Sequence, residues 1–165
     1  MSTVIAGPKI QCRKIEVQGA KSGKYFEYPE VQKEGNDFFC SADFNKRILS
    51  KVSACVGVGI YSVRLHFDDG SQSPVLGSRT ELTAGLELGT DPVTQIGIRA
   101  WKENYVQTLV VNQASRTGSV TLESQSNNGD MKEFKLASGE RIVGIHGYLD
   151  PNGDLRGFGF IVVGK

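Results

Sequence analysis

The chain has 165 residues, 39% hydrophobic and 22% charged, the composition of one globular domain large enough to bury a core without disulfide or metal staples. Nineteen basic against 18 acidic side chains leave a formal charge of +1, so no broad field holds a polyanion and no nucleic-acid partner is expected. No uncharged run is longer than twelve residues, the length of Val52 to Val63, so no membrane insertion is expected either.

The first residues, MSTVIAGPKIQC, have neither a basic leader nor a sustained apolar run, so no secretory signal is visible and the cytoplasm is the expected compartment. Cys12, Cys40 and Cys55 are odd in number and lie 28 and 15 residues apart, which fits neither a disulfide framework nor a C-x-x-C zinc pair, and they read as buried thiols. Residues 1–48 read as strands or an edge extension of the same domain, with the Met1 segment pinned as an integral strand or by a neighbouring chain. Ala42 to Lys51 is the only stretch with a helical reading. Elsewhere β-branched and aromatic residues alternate with polar ones in short runs: Val63 to Phe67, Leu86 to Leu88, Ser119 to Glu123 and Phe134 to Leu136. Asp68-Asp69-Gly70-Ser71, Thr90-Asp91-Pro92, Asn127-Asn128-Gly129-Asp130 and Asp150-Pro151-Asn152-Gly153 supply the turns between them.

Three segments repeat one pattern, beginning at Leu49, Thr94 and Ile142. From the anchors Val52, Ile98 and Ile145, the next apolar position comes 8, 8 and 10 residues later, at Ile60, Val106 and Leu155. Three residues on lie Val63, Leu109 and Phe158, and two beyond those lie Leu65, Val111 and Phe160. Each repeat is therefore an incoming strand, a hairpin and an outgoing strand whose first step of three implies a bulge or a turn exit. These nine positions, anchors included and the hairpin-exit residues apart, predict one shared core under three antiparallel sheets.

Candidate chemistry is sparse. Asp150, Asn152 and Asp154 imitate a calcium loop, but Leu155 stands where that loop needs Gly and Ile161 where it needs Glu. Arg156 to Val163 comes close to an RNA-recognition strand, yet the final aromatic is missing and the helix that module requires does not follow. Gly57-Val58-Gly59 runs into a strand instead of a helix, so it is a hairpin and not a dinucleotide loop. His66 and His146 sit inside strand patterns, no nucleophile–base pair, carboxylate dyad or metal set emerges, and the chain reads as a non-enzyme with no cofactor. Trp101, beside Lys102-Glu103-Asn104-Tyr105, reads either as a stacking surface for a sugar or partner or as a cap on the core.

Two stretches, Gly139-Glu140-Arg141-Ile142-Val143-Gly144-Ile145-His146-Gly147 and Ile60 to Phe67, resemble motifs of the jacalin-related lectins over roughly Leu49 to Lys165. The resemblance implies an all-β fold, a β-prism of three antiparallel Greek-key sheets with pseudo-threefold repeats, its jacalin-like part being residues 49–165. It also implies a sugar site in a G-x-x-x-D loop whose carboxylate accepts from adjacent hydroxyls. At the matching position this chain holds Tyr61, Gln107 and Arg156. Gln107 can accept one hydroxyl, whereas Arg156 is donor-only and inverts the charge. Candidate carbohydrate contacts therefore pass to loop residues: Asp150, Asn152, Gly153 and Asp154 first, then Glu103, Asn104 and Gln107. Two functions follow as expectations, weak glycan binding at the hairpin apices or a structural subunit that meets a protein partner in a larger assembly.

Overall fold

The computed structural model describes residues 4–164, so Met1 and its expected pinning lie outside the described residues. The chain forms β1 (Lys9–Lys14), β2 (Gln18–Gly19), β3 (Lys24–Tyr28), β4 (Gln32–Glu34) and β5 (Asp37–Ser41) before a single 3-10 turn, Ala42–Lys46. Ser41 Oγ caps that turn by accepting from Asp43 N–H at 3.3 Å. The helical reading of Ala42 to Lys51 thus stops short: Leu49, Val52 and Ala54 are buried residues of a strand, and its ladder outcompetes a helix. That strand is β6 (Leu49–Val56), followed by β7 (Ile60–Phe67), β8 (Ala84–Glu87), β9 (Val93–Trp101) and β10 (Tyr105–Gln113). The remaining strands are β11 (Val120–Glu123), β12 (Asp130–Lys135), β13 (Arg141–Leu149) and β14 (Leu155–Val163).

The second sheet, β11-β10-β9-β12, is a Greek key in which the fourth strand returns beside the first. The first sheet repeats it as β7-β6-β8, with the bridges Val63 to Leu76 and His66 to Gln72 where a further strand would lie. In the third, β13 and β14 come from the end of the chain, and their partners β1 and β3 come from its beginning, in the order β3-β13-β14-β1-β5-β4. Residues 9–28 therefore complete the third key, and only the β4–β5 hairpin extends beyond it.

The expected bulges occur at equivalent places. Tyr61 falls between the pairs Val56–Ile60 and Cys55–Ser62, Gln107 between Ala100–Val106 and Arg99–Thr108, and Arg156 between Leu149–Leu155 and Tyr148–Gly157. Each leaves one residue unpaired and re-aims its side chain. Val52, Val63, Leu65, Ile98, Leu109, Val111, Ile145, Phe158 and Phe160 share one core, none more than 2% exposed.

β14 is buried on both sides. Phe158, Phe160 and Val162 face the prism core, while Ile161 and Val163 alternate outward into a second, smaller core with Cys12, Val31, Cys40 and Val143. Chain 29–41 leaves β3, crosses this outer face as a strap and ends as β4–β5 beside β1. Gly144 lets it pass: a Cβ there would lie 2.0 Å from the Tyr28 carbonyl oxygen and 2.4 Å from Pro29 Cδ. Cys12 and Cys40 are buried free thiols, and Cys55 is half-buried. Among the described residues no helix is long and apolar enough to cross a membrane.

Candidate functional site at the hairpin apices

The three hairpins meet at one pole of the prism. The Tyr61 ring has the Arg79 guanidinium over it at 4.2 Å and that of Arg156 at 5.7 Å. Tyr105 packs on Gly59, where an added Cβ would lie 2.8 Å from its ring. Gly19, at φ +86°, sits between two repeats, and a side chain there would meet Arg156 O at 2.4 Å and Val106 at 3.2 Å.

A cleft of about 470 Å³ opens at this pole. Glu103, Asn104 and Tyr105 of the second hairpin form one wall, Asp150, Pro151 and Arg156 of the third another, and Ala20, Ser22 and Gly23 of the β2–β3 turn close it. The structure thus brings together residues that lie nearly fifty apart in the chain and come from both candidate sets.

Asp150 organises its own loop. Oδ1 accepts from the N–H groups of Asn152 at 2.9 Å and Asp154 at 3.0 Å, and Oδ2 accepts from Arg156 Nε at 2.7 Å. Partial desolvation pushes the Asp150 carboxyl up, but the Arg156 guanidinium and the two N–H groups outweigh it and hold the group below the usual carboxylate range. The residue standing at the motif's carboxylate position therefore carries a carboxylate into the cleft as a partner.

The other candidates separate. Asp154 is buried, 5% exposed, and its oxygens accept from Arg79 Nε at 3.0 Å, a second Arg79 nitrogen at 3.1 Å and Ser78 Oγ at 3.2 Å. It ties the third apex to the first and does not line the cleft, because a buried carboxylate needs its full set of donors. Gln107 is fully buried: Nε2 donates to Asn128 Oδ1 at 2.9 Å and Oε1 accepts from Gly129 N–H at 2.7 Å, so both ends of its amide brace the loop before β12. Gly153, at φ +86°, serves the turn and accepts from Ser78 N–H at 2.9 Å, while Asn152 is exposed at the loop tip outside the cleft lining. Trp101 is half-buried under Lys102 Nζ, 5.2 Å from its ring, and is not part of the cleft wall.

Residues the sequence reading did not single out are Ser22, Gly23, Tyr105, Pro151 and Arg156 as an ion-pair donor. Tyr105, next to Asn104 at the exit of a hairpin, was the one with a local signal.

Ser53 Oγ lies 2.8 Å from His66 Nε2 on the outer face of the first sheet. Burial, with the charges of Lys51 and Arg64, holds His66 below the usual histidine range and weakens it as a base. Ser53 sits mid-strand, paired with Arg64 on one side and Gly85 on the other, so its neighbouring N–H groups are engaged in the β6 ladders.

No family model matches the sequence, and no curated protein matches it. The folded chain is similar to several solved structures at low identity. A lamprey immune protein is 15% identical with a TM-score of 0.66; the match covers 97% of this chain but only 46% of that one. AcmJRL, a mannose-binding jacalin-related lectin from Ananas comosus, is 14% identical with a TM-score of 0.62 over 93% of this chain and 99% of its own. A prostate-specific glycoprotein lectin, WGA16, is 20% identical with a TM-score of 0.62, covering 92% and 99%. What these share with the chain is the fold.

Proposed function

We propose that this chain, which has the β-prism fold of the jacalin-related lectins, is a carbohydrate-binding module that takes a neutral sugar weakly in the apical cleft. The observation that carries this reading is the convergence of Glu103, Asn104, Asp150 and Arg156 around one small hollow beside Tyr105. A pyranose needs acceptors and donors side by side, and an apolar surface for its C–H face. Asp150 has three of its roughly four lone-pair sites filled from within, leaving one for a hydroxyl. Arg156 uses Nε on Asp150 and keeps its other N–H donors. Because these two charges neutralise each other, the cleft favours an uncharged ligand over an acidic one. Few polar groups line the cleft, which sets the affinity low, with Kd of about 1 mM, or roughly 4 kcal/mol.

The test is a titration of isotope-labelled protein with mannose and with galactose, read by amide chemical shifts. Shifts confined to Ser22, Gly23, Asn104, Tyr105 and Asp150 are expected, and Glu103→Ala with Asn104→Ala abolishes them. Spectra that do not move at saturating sugar overturn the reading.

A second reading is a structural subunit held by a protein partner, favoured by the absence of the motif's Asp at Tyr61, Gln107 and Arg156. Co-elution of the native protein in a large complex with no sugar affinity would support it; a free 17.9 kDa monomer retained on immobilised sugar would refute it.

A further inference from the structure

Tyr25 is 41% exposed, one of three large hydrophobic side chains among the described residues that face solvent, with Val4 and Val58. Unlike them it is anchored. His146 Nε2 lies 2.7 Å from the Ile15 carbonyl oxygen, which only accepts, so Nε2 carries the proton and Nδ1 is an acceptor. The Tyr25 hydroxyl has two acceptors for its proton, Nδ1 at 3.1 Å and Glu27 Oε1 at 3.2 Å, and accepts from Lys14 Nζ at 3.0 Å. Both roles of the phenol are used, and the ring is held against Tyr148, with centroids 5.3 Å apart at 60°. An aromatic surface fixed in place yet left wet gains little for the fold, but loses little entropy when it meets a ligand.

Its position links it to the cleft. Gly23 lines the cleft, and a Cβ on Gly23 would lie 2.5 Å from Leu149 O and 3.9 Å from Tyr148 Cβ. Strand pairing continues from there as Lys24 with Leu149 and Tyr25 with Tyr148. One residue, Lys24, separates Gly23 from Tyr25, a rise of about 7 Å along the strand, which puts the tyrosine within reach of a second linked ring and not of the first.

We infer that Tyr25 and Tyr148 form an extension subsite on the outer face of the third sheet, which stacks the second ring of an oligosaccharide whose first ring occupies the apical cleft. The ligand class is thereby a linked, neutral oligosaccharide and not a single sugar. This rests on the carbohydrate reading of the cleft. The turn at Gly23 is the rim over which the chain of rings passes, and glycine is required there because φ is +120° and a Cβ would meet the Leu149 carbonyl oxygen.

The experiment compares methyl mannoside and methyl galactoside with the corresponding linear trisaccharides by calorimetry and by the aromatic proton shifts of Tyr25 and Tyr148. The trisaccharide is expected to bind roughly three- to tenfold tighter than its monosaccharide and to move the tyrosine ring signals, which the monosaccharide leaves in place. Tyr25→Ala and Tyr148→Ala each remove that gain while monosaccharide binding stays unchanged, and Tyr25→Phe keeps most of it. Equal affinity for one ring and three, or ring signals that stay fixed in the unmodified protein, overturns the subsite and leaves the cleft standing. No binding of any of the four sugars overturns the cleft reading and the subsite with it.

Discussion

Gly97 and Gly144 each stand one residue before the anchor of a repeat, Ile98 in the second sheet and Ile145 in the third, yet what lies over them differs. Over Gly97 the nearest atom to an added Cβ is Met131 Sδ at 2.9 Å, part of a flexible side chain, followed by Val110 Cβ at 3.5 Å and Glu133 Cγ at 3.8 Å. Over Gly144 it is main chain, the strap leaving β3. The same backbone position is thus covered by side chains in one sheet and by crossing main chain in the other. Comparing them shows that the outer face of a prism sheet is free to become a second core when a neighbouring segment is long enough to cross it. That core holds Val31, Val143, Ile161 and Val163 away from water, on the far side of a sheet whose inner face is already full.

The sharpest way to break this comparison is to add one methyl to each glycine. Gly144→Ala forces a carbonyl and a proline ring to move and is expected to cost about 3 kcal/mol or more, a fall in Tm of roughly 6–12 °C. Denaturant unfolding checks it, and a loss under 1 kcal/mol would mean the strap does not rest on Gly144. Next in size is Phe38→Ala, which removes a half-buried ring packed on the second core and is expected to cost about 1–2 kcal/mol without altering the apical cleft. Gly97→Ala is the smallest of the substitutions, within about 1 kcal/mol of neutral, since Met131 can rotate away.

Acid sharpens the contrast by a different route. His146 is held below the usual histidine range by burial, which outweighs the Ile15 carbonyl's opposite pull. His66, on the open first sheet, is shifted the same way for a weaker burial. A histidine whose folded pKa lies below its unfolded value of about 6.5 binds fewer protons folded than unfolded once pH drops under that value. Stability is therefore level above pH 7 and is lost as pH falls through about 6.5 toward the folded pKa. His146→Gln is expected to flatten more of that slope than His66→Gln, as measured by urea midpoints between pH 7.5 and 5. A slope untouched by either variant would show that carboxylates govern the acid limb.

Much of the prism could be read from spacing. The nine core positions and the three-residue step at each hairpin exit are local patterns, and Tyr61, Gln107 and Arg156 are the bulged residues that step implied. The placement of residues 1–48 had no such signal, because β1 and β3 pair with strands more than a hundred residues away and their register is decided by the partner. The same reason hid the cleft. Asp150 and Glu103 were legible as loop residues with polar ends, but that Asp154 would be claimed by Arg79 and Gln107 by Asn128 and Gly129 depends on loops that repeat nothing. Ser22 and Gly23 enter the site through the β2–β3 turn, which the repeat pattern does not include.

Cys12 pairs with Val163, 151 positions later in the chain. A polypeptide made from its N-terminus at about 5–20 residues per second leaves β1 waiting roughly 8–30 s for its partner to be synthesised. During that interval the first and second keys can form by local pairing, while the opening strands remain an unmatched edge with Ile10, Cys12 and Phe38 exposed. The nascent protein is then two-thirds of a prism with an adhesive tail, and its last strand acts as the bolt that closes it. Truncation from either end should leave the same lesion, and any agent that shields an extended apolar segment at the ribosome should raise the yield of folded chain.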